Sequence, residues 1–175
     1  MLDLLYQRRS IRKYQAKPIE KEKVDQLIKA GLLAPSAKSA LSQRFIVVDD
    51  PVLLDKLSQV RAGASSYLKD AALGIVVLGD SSIIDVWVED ACLAAIIIQL
   101  AAESLDLGSC WIQIRDRQHN EQMSAEEYVQ QALGIPEHLK VQCILSIGYP
   151  EQKKPRKTDE ELKFERVFTN RYQEQ

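Results

Sequence analysis

Two short basic segments near opposite ends of the chain carry the residue types best suited to binding a ligand. The N-terminal basic segment, residues 8–13, holds four cations and one hydroxyl: Arg8, Arg9, Ser10, Arg12 and Lys13. The C-terminal basic segment, residues 153–157, consists of Lys153, Lys154, Pro155, Arg156 and Lys157. Because guanidinium groups hold phosphate oxygens in a bidentate fashion, the two segments could neutralise one phosphate if the fold brings them together. If the fold keeps them apart, they are ordinary solvated charge.

Other familiar chemistries lack their residues in this sequence. With seven glycines in all, there is no phosphate-binding glycine loop ahead of a lysine and no dinucleotide fingerprint after a strand. No serine stands in a nucleophile elbow, and Cys110 has no evident activating base. His119 and His138 lack a carboxylate or cysteine partner in sequence, so we predict that both face solvent. We therefore expect neither a metal site nor a catalytic side chain.

The composition indicates one globular domain of a soluble protein. A chain of 175 residues is long enough for one sizeable core and too short for two ordinary domains, so we predict a single domain over residues 1–175. The net charge of −2 provides no general attraction to nucleic acid or to an anionic membrane. Nucleic-acid binding through the basic segments is the weakest alternative, since few aromatic side chains are present for stacking.

The cysteines and the N-terminus favour a reducing compartment. Cys92, Cys110 and Cys143 are odd in number, lie in apolar stretches and lack metal-ligand spacing, so we predict buried free thiols. The first nine residues lack the charged-then-apolar order and the cleavage site of a secretory signal. Together these features predict a cytoplasmic protein.

A long apolar helix predicted over residues 85–107 is the element around which the rest must be arranged. It is apolar at every position from Ala91 to Ile98, is bounded by Glu89 and Asp90, and is interrupted by Gln99 and Glu103. The uninterrupted run is well short of the ~20 apolar residues that a bilayer requires. We therefore predict a core helix buried on all sides, with part of its surface against a second copy of the chain.

Periodicity and turn signals predict the remaining elements. We expect helices over residues 3–9, 20–33, 51–60 and 124–134, and strands over 44–48, 73–78, 109–114 and 141–147. Ser124 and Glu127 have the spacing of a capping box. The C-terminal extension, residues 151–175, has too few apolar residues for a core of its own and is predicted to pack on the body or on a partner subunit.

Four segments, in order, resemble the landmarks of the FMN-dependent nitroreductase family. They are residues 8–14, 34–38, 107–112 and 148–150, and the resemblance extends over about residues 2–157. It implies an α+β fold of three layers, with a mixed central β-sheet flanked by helices. It also implies a homodimer with the central helix buried at its interface and FMN in each of two interfacial sites.

The resemblance further implies a two-step reaction. NADH or NADPH delivers hydride to flavin N5 and leaves, after which a small acceptor such as a nitroaromatic or a quinone takes the electrons. The flavin would carry the chemistry, and the protein would supply position and electrostatics.

The resemblance also assigns cofactor-binding residues. Arg8, Arg9 and Ser10 match contacts to the phosphate and ribityl chain, and Arg12 matches the cation beside the pyrimidine edge. The other matching residues come from three segments. The loop that the partner subunit lays over the ring supplies Pro35, Ser36, Ala37 and Ser39, and the turn near N5 and O4 supplies Cys110, Trp111 and Ile112. The basic pair that closes on the phosphate is Lys154 and Arg156.

The sequence departs from the family pattern at the ring. Ser39 stands where asparagine is common, Leu41, Ser42 and Gln43 replace glutamine-proline-tryptophan, and Gln113 replaces a frequent glycine. These departures leave open an alternative function, a flavin-binding dimer without efficient NAD(P)H turnover that acts on or senses a specialised ligand.

Overall fold

The computed structural model describes residues 1–172, and each predicted helix and strand is present with ends shifted by no more than three residues. The elements in chain order are α1 (Leu2–Gln7), α2 (Lys21–Leu32), β1 (Gln43–Val48), α3 (Pro51–Ser58), β2 (Leu73–Asp80), α4 (Trp87–Ser104), β3 (Gly108–Gln113), α5 (Ala125–Leu133) and β4 (Leu139–Gly148). The predicted capping box opens α5, since the Ser124 hydroxyl accepts from the Glu127 amide at 3.1 Å and the Glu127 carboxylate accepts from the Ser124 amide at 2.8 Å.

The sheet has the strand order β1-β2-β4-β3, and every neighbouring pair is antiparallel. The prediction of a mixed sheet is therefore wrong for these four strands. Two strands pair in parallel only when the connection between them crosses over and returns the chain to the end of the sheet at which the first strand began. None of the three neighbouring strand pairs in this sheet is connected by such a crossover. Among residues 1–172, parallel pairing occurs only at an isolated bridge, where Ser10 lies beside Ser109.

Helices cover both faces of the sheet, which confirms the predicted three-layer α+β fold. Along β2, successive side chains alternate between the faces, as a strand buried on both sides requires. Val76 and Leu78 join a core with α3 and α5, whereas Ile75 and Val77 join a second core with α2 and α4. The helix α2 lies close to α4 at Gly31, where an added Cβ would be 2.8 Å from Ile98.

The central helix α4 is buried on only one side in the single chain, and its predicted burial against a second copy stays a prediction. Ala91, Ala95 and Ile98 face the sheet and are fully buried, but Leu93 is 43% exposed and Ile97 is half-buried. Within the single chain, the sheet and α2 pack against one side of α4. The other side of the helix is also apolar and is left partly exposed. No helix within residues 1–172 is long and apolar enough to cross a membrane.

The C-terminal extension begins on the body of the chain and then leaves it. The amide of Glu151 donates to the Lys13 carbonyl at 3.0 Å, and the amide of Lys157 donates to the Tyr6 carbonyl at 2.9 Å. Beyond residue 160 the described extension is exposed, and its apolar side chains Phe164 and Val167 are 69% and 70% exposed. Residues 173–175 of the predicted extension lie outside the described part of the chain.

The prediction that His119 faces solvent is wrong. Its ring stacks on Tyr128 with 4.1 Å between centroids, and its Nδ1 lies 3.0 Å from the Val60 carbonyl oxygen. No sequence pattern indicates these contacts, because they form between segments that meet only in the folded chain. His138 is exposed, as predicted.

Candidate functional site

The fold brings the two basic segments together. The Lys154 ammonium donates a hydrogen bond to the Ser10 carbonyl oxygen at 2.7 Å, and the Arg9 guanidinium donates to the Pro155 carbonyl. These contacts join residues that are more than 140 positions apart in sequence. The condition that the sequence left open, convergence of the two segments, is therefore met.

The N-terminal basic segment is held against β3 by its backbone. The Ile11 amide donates to the Ser109 carbonyl at 3.0 Å, next to the bridge between Ser10 and Ser109. This close approach depends on Gly108, because a Cβ added there would lie 2.8 Å from both Cβ and Cγ2 of Ile11. Glycine at position 108 thus lets the segment lie directly on the strand.

Replacement of Gly108 is expected to push this segment off β3. Gly108→Ala should lower the free energy of unfolding by about 1–3 kcal/mol, since the Cβ of Ile11 cannot rotate out of the way. Urea unfolding followed by circular dichroism measures the change. The matched control is Gly74→Ala, in β2, whose added Cβ would meet the movable end of Leu54 at 3.1 Å. Equal losses in the two variants would contradict the close-approach argument.

A cleft of about 330 Å³ lies beside the converging segments. Arg9, Lys153 and Lys154 line it, together with the carboxylates of Glu103 and Asp106. Burial raises the pKa of Glu103, whereas the nearby positive charge of Arg8 acts in the opposite direction. The side-chain amide nitrogen of Gln152, also in the cleft wall, is buried and has no hydrogen-bond partner among the described residues. The cleft therefore offers an anionic group such as phosphate three cations against two carboxylates, together with one unpaired donor.

Arg156 is placed apart from the other predicted phosphate residues. Its guanidinium forms an ion pair with Asp3 at 3.1 Å and lies 5.6 Å from the centre of the Tyr6 ring. Both partners belong to α1, and the Arg156 side chain is largely exposed. Its assignment to the phosphate therefore stays a prediction that requires the side chain to change partners.

Arg12 is exposed and lies against a tyrosine. Its guanidinium carbon is 5.6 Å from the centroid of the Tyr67 ring, and the Tyr67 hydroxyl is 3.3 Å from the Cys110 sulfur. Burial, followed by the hydrogen bond with Cys110, raises the pKa of Tyr67. Tyr67 was not singled out in the sequence, since its partners come from distant segments.

The predicted turn near the flavin presents different residues on its two faces. Cys110 and Ile112 are each 1% exposed as whole residues, so their contact with a cofactor stays a prediction. Trp111 is half-buried on the other face, and its indole N–H donates to the Gln113 side-chain oxygen at 2.8 Å. Gln113, a departure from the family pattern, thus fixes the ring of Trp111.

The loop with the predicted ring contacts folds back on itself. The Ser36 hydroxyl accepts a hydrogen bond from the Leu41 amide at 2.9 Å, while Pro35 and Ser39 are exposed. The Ala37 amide donates to the Asp90 carboxylate at 2.8 Å. Asp90 was missed in the sequence because an acidic residue at the start of a helix is usually a solvated one.

This loop and the converging basic segments lie at opposite ends of α4. Asp90 is in the first turn of the helix, and Gly108 follows its last turn. An α-helix of 18 residues is about 27 Å long. One chain therefore cannot bring the loop onto its own basic segments.

Among residues 1–172, no three histidine, cysteine, aspartate or glutamate side chains come together as a metal site. The candidate site consists of cations, backbone groups and half-buried aromatic side chains. Such a set can bind an anionic, planar ligand but offers no nucleophile paired with a base.

Comparison with known proteins gives concordant matches. The Nitroreductase family matches residues 5–149. An archaeal protein of Archaeoglobus fulgidus, provisionally named NADH dehydrogenase/NAD(P)H nitroreductase, is 38% identical over 157 residues, which are 87% of each chain. The solved structure of an FMN-dependent nitroreductase from Clostridium difficile R20291 is 46% identical, with a TM-score of 0.97, over 98% of this chain and 100% of that one. An NADPH:FMN oxidoreductase from Vibrio harveyi, solved with NAD+, is 27% identical with a TM-score of 0.82, over 99% of this chain and 78% of that one.

Proposed function

The chain belongs to the nitroreductase family, and on that premise we propose that it is an FMN-dependent oxidoreductase with NADH or NADPH as reductant. In this proposal it passes the electrons, in a separate second step, to a small acceptor such as a nitroaromatic or a quinone. The observation that carries the proposal is the hydrogen bond from Lys154 to the Ser10 carbonyl, which joins the two basic segments into one anion site.

We assign the FMN phosphate to this anion site. Arg8, Arg9 and Lys154 supply positive charge, and the backbone contact with β3 holds Ser10 beside them. Charge-assisted hydrogen bonds of this kind are about twice as strong as neutral ones. The protein's part is to fix one end of the cofactor so that its ring reaches the turn after α4.

When bound, FMN supplies a carrier that takes two electrons from a nicotinamide and gives them to the acceptor. Arg12 would place its positive charge beside the pyrimidine edge of the bound ring, where it would favour the reduced, anionic form. Tyr67 lies against the Arg12 guanidinium and limits its motion. The protein thus contributes electrostatics and position rather than acid–base catalysis.

We also propose that the working unit is a homodimer. The uncovered apolar face of α4, with Leu93 and Ile97, is suited to a second copy of the same face. A two-fold arrangement would bring the loop at residues 35–42 of one subunit to the basic segments of the other, which no single chain can do. The exposed Phe164 and Val167 would then lie against the partner subunit.

The three cysteines are free, and two of them, Cys110 and Cys143, are buried. These thiols support a cytoplasmic location, which we include in the proposal.

The visible spectrum tests the function directly. We expect the purified protein to be yellow, and its flavin absorption to bleach when NADH or NADPH is added without oxygen. A colourless protein that takes up no added FMN would contradict the proposal. Bound FMN that stays oxidised with both nicotinamides would support the alternative, a flavin-binding dimer without efficient turnover.

A further inference from the structure

The loop of residues 36–42 has a backbone that its own residue types do not favour. Lys38, Ser39 and Leu41 have φ values of 51°, 54° and 50°, in the left-handed region that normally requires glycine. Three such residues within four positions persist only where surrounding contacts hold them, and strained backbone of this kind is concentrated at functional sites. The contacts that hold the loop are therefore of functional interest.

Asp90 provides two of the side-chain contacts that reach the loop from outside, and the Arg44 guanidinium and the Asp80 amide donate to the Leu41 and Ser42 carbonyls. One carboxylate oxygen accepts from the Ala37 amide at 2.8 Å, and the other accepts from the Ser42 hydroxyl at 2.7 Å. Asp90 is 1% exposed and Ser42 is fully buried. The carboxylate thus ties together both ends of the strained segment.

A carboxylate buried to this degree is costly unless its hydrogen bonds repay the loss of water. Asp90 lies beside Glu89, which is exposed in the same helical turn and whose side chain makes no hydrogen bond within residues 1–172. Substitution of Glu89 therefore removes a negative charge at the start of α4 and nothing from the loop, whereas substitution of Asp90 also removes the hydrogen bonds to the loop.

We propose that Asp90 is a positioning residue for the oxidoreductase reaction. Its carboxylate holds the loop of residues 36–42 in its observed conformation, which presents the exposed side chains of Ser39 and Leu41 to the flavin ring of the partner subunit. The first half of the proposal stands on the observed contacts. The second half rests on the proposed function and on the dimer.

Hydrogen exchange measured by mass spectrometry tests the first half without any assay of activity. In the folded protein the amides of Ala37, Ser39, Ala40 and Leu41 all donate hydrogen bonds within this network. Asp90→Ala should accelerate exchange of a peptide spanning residues 36–42 by about tenfold or more, since two charge-assisted bonds are lost. Asp90→Asn should exchange close to the wild-type rate, because its amide can accept from Ala37 and donate to the Ser42 oxygen.

Two further variants complete this series. Ser42→Ala removes one of the two bonds and should accelerate exchange of the same peptide by an intermediate factor; it decides the question if Asp90→Ala does not fold. Glu89→Gln is the matched control and should exchange at the wild-type rate. Wild-type exchange in folded Asp90→Ala or in Ser42→Ala would overturn the proposal that Asp90 holds the loop.

Kinetics with saturating FMN test the second half. We expect Asp90→Ala to lower kcat/KM for the acceptor, expressed per bound flavin, by about tenfold, and Asp90→Asn to restore most of it. A purely structural role would reduce stability and flavin content but leave the rate per bound flavin unchanged, and that result would overturn the positioning role. If the wild-type protein binds no flavin, the proposed function fails, while the exchange measurements still decide whether Asp90 holds the loop.

Discussion

Arg8→Ala is expected to release FMN from the protein. The dissociation constant should rise by about ten- to a hundredfold, the equivalent of one charge-assisted hydrogen bond to phosphate. Within residues 1–172 the half-buried Arg8 side chain donates no hydrogen bond, although its charge is felt by Glu103. The substitution therefore removes a group that the fold does not use, and the free energy of unfolding of the apoprotein should change by less than about 0.5 kcal/mol.

Quenching of FMN fluorescence during titration of the apoprotein measures this effect. Arg117→Ala is the control, since it removes the same charge from an exposed position whose guanidinium, within residues 1–172, bonds only to the neighbouring Asp116 carbonyl. The affinity of the control should match that of the wild type. If Arg8→Ala retained FMN as tightly as the wild type, the assignment of the phosphate to the N-terminal basic segment would be wrong.

Local patterns were sufficient to predict the elements of the fold. The run from Ile75 to Leu78 and the capping box at Ser124 each depend on neighbouring residues, and both predictions are confirmed. The direction of strand pairing depends on how distant segments meet, and the mixed sheet that the resemblance implied is wrong for strands β1 to β4. The same limit applies to His119, whose contacts with Tyr128 and Val60 are formed by tertiary packing.

The candidate site was predictable to the extent that its residues have unusual types. The clusters around Arg8 and Lys154 were identified by charge alone, but only the fold shows that they meet. Asp90 could not be identified in this way, because an acidic residue at the start of a helix is common. What is unusual about Asp90 is its burial in the folded chain. A positioning residue of this kind is recognised from its hydrogen bonds to Ala37 and Ser42, which no sequence pattern indicates.

Leu93→Asp is expected to separate the proposed dimer into folded monomers. In the single chain Leu93 is 43% exposed, so a carboxylate there stays hydrated and the subunit should keep its helical circular dichroism. In a dimer formed through α4 the same carboxylate would be buried without a partner, which costs several kcal/mol. Light scattering coupled to size-exclusion chromatography measures the mass. Val52→Asp, on α3 at a position that is 76% exposed, is the matched control and should remain dimeric.

The same variant tests whether one subunit completes the site of the other. The loop held by Asp90 and the basic segments around Lys154 lie at opposite ends of a helix about 27 Å long, so a monomer keeps the phosphate contacts but loses the loop over the ring. We therefore expect Leu93→Asp monomers to bind FMN more weakly than the wild type, while Arg8→Ala weakens binding and leaves the dimer intact. Monomers with wild-type FMN affinity would show that the site is complete within one chain, and the loop would then have no part in holding the flavin.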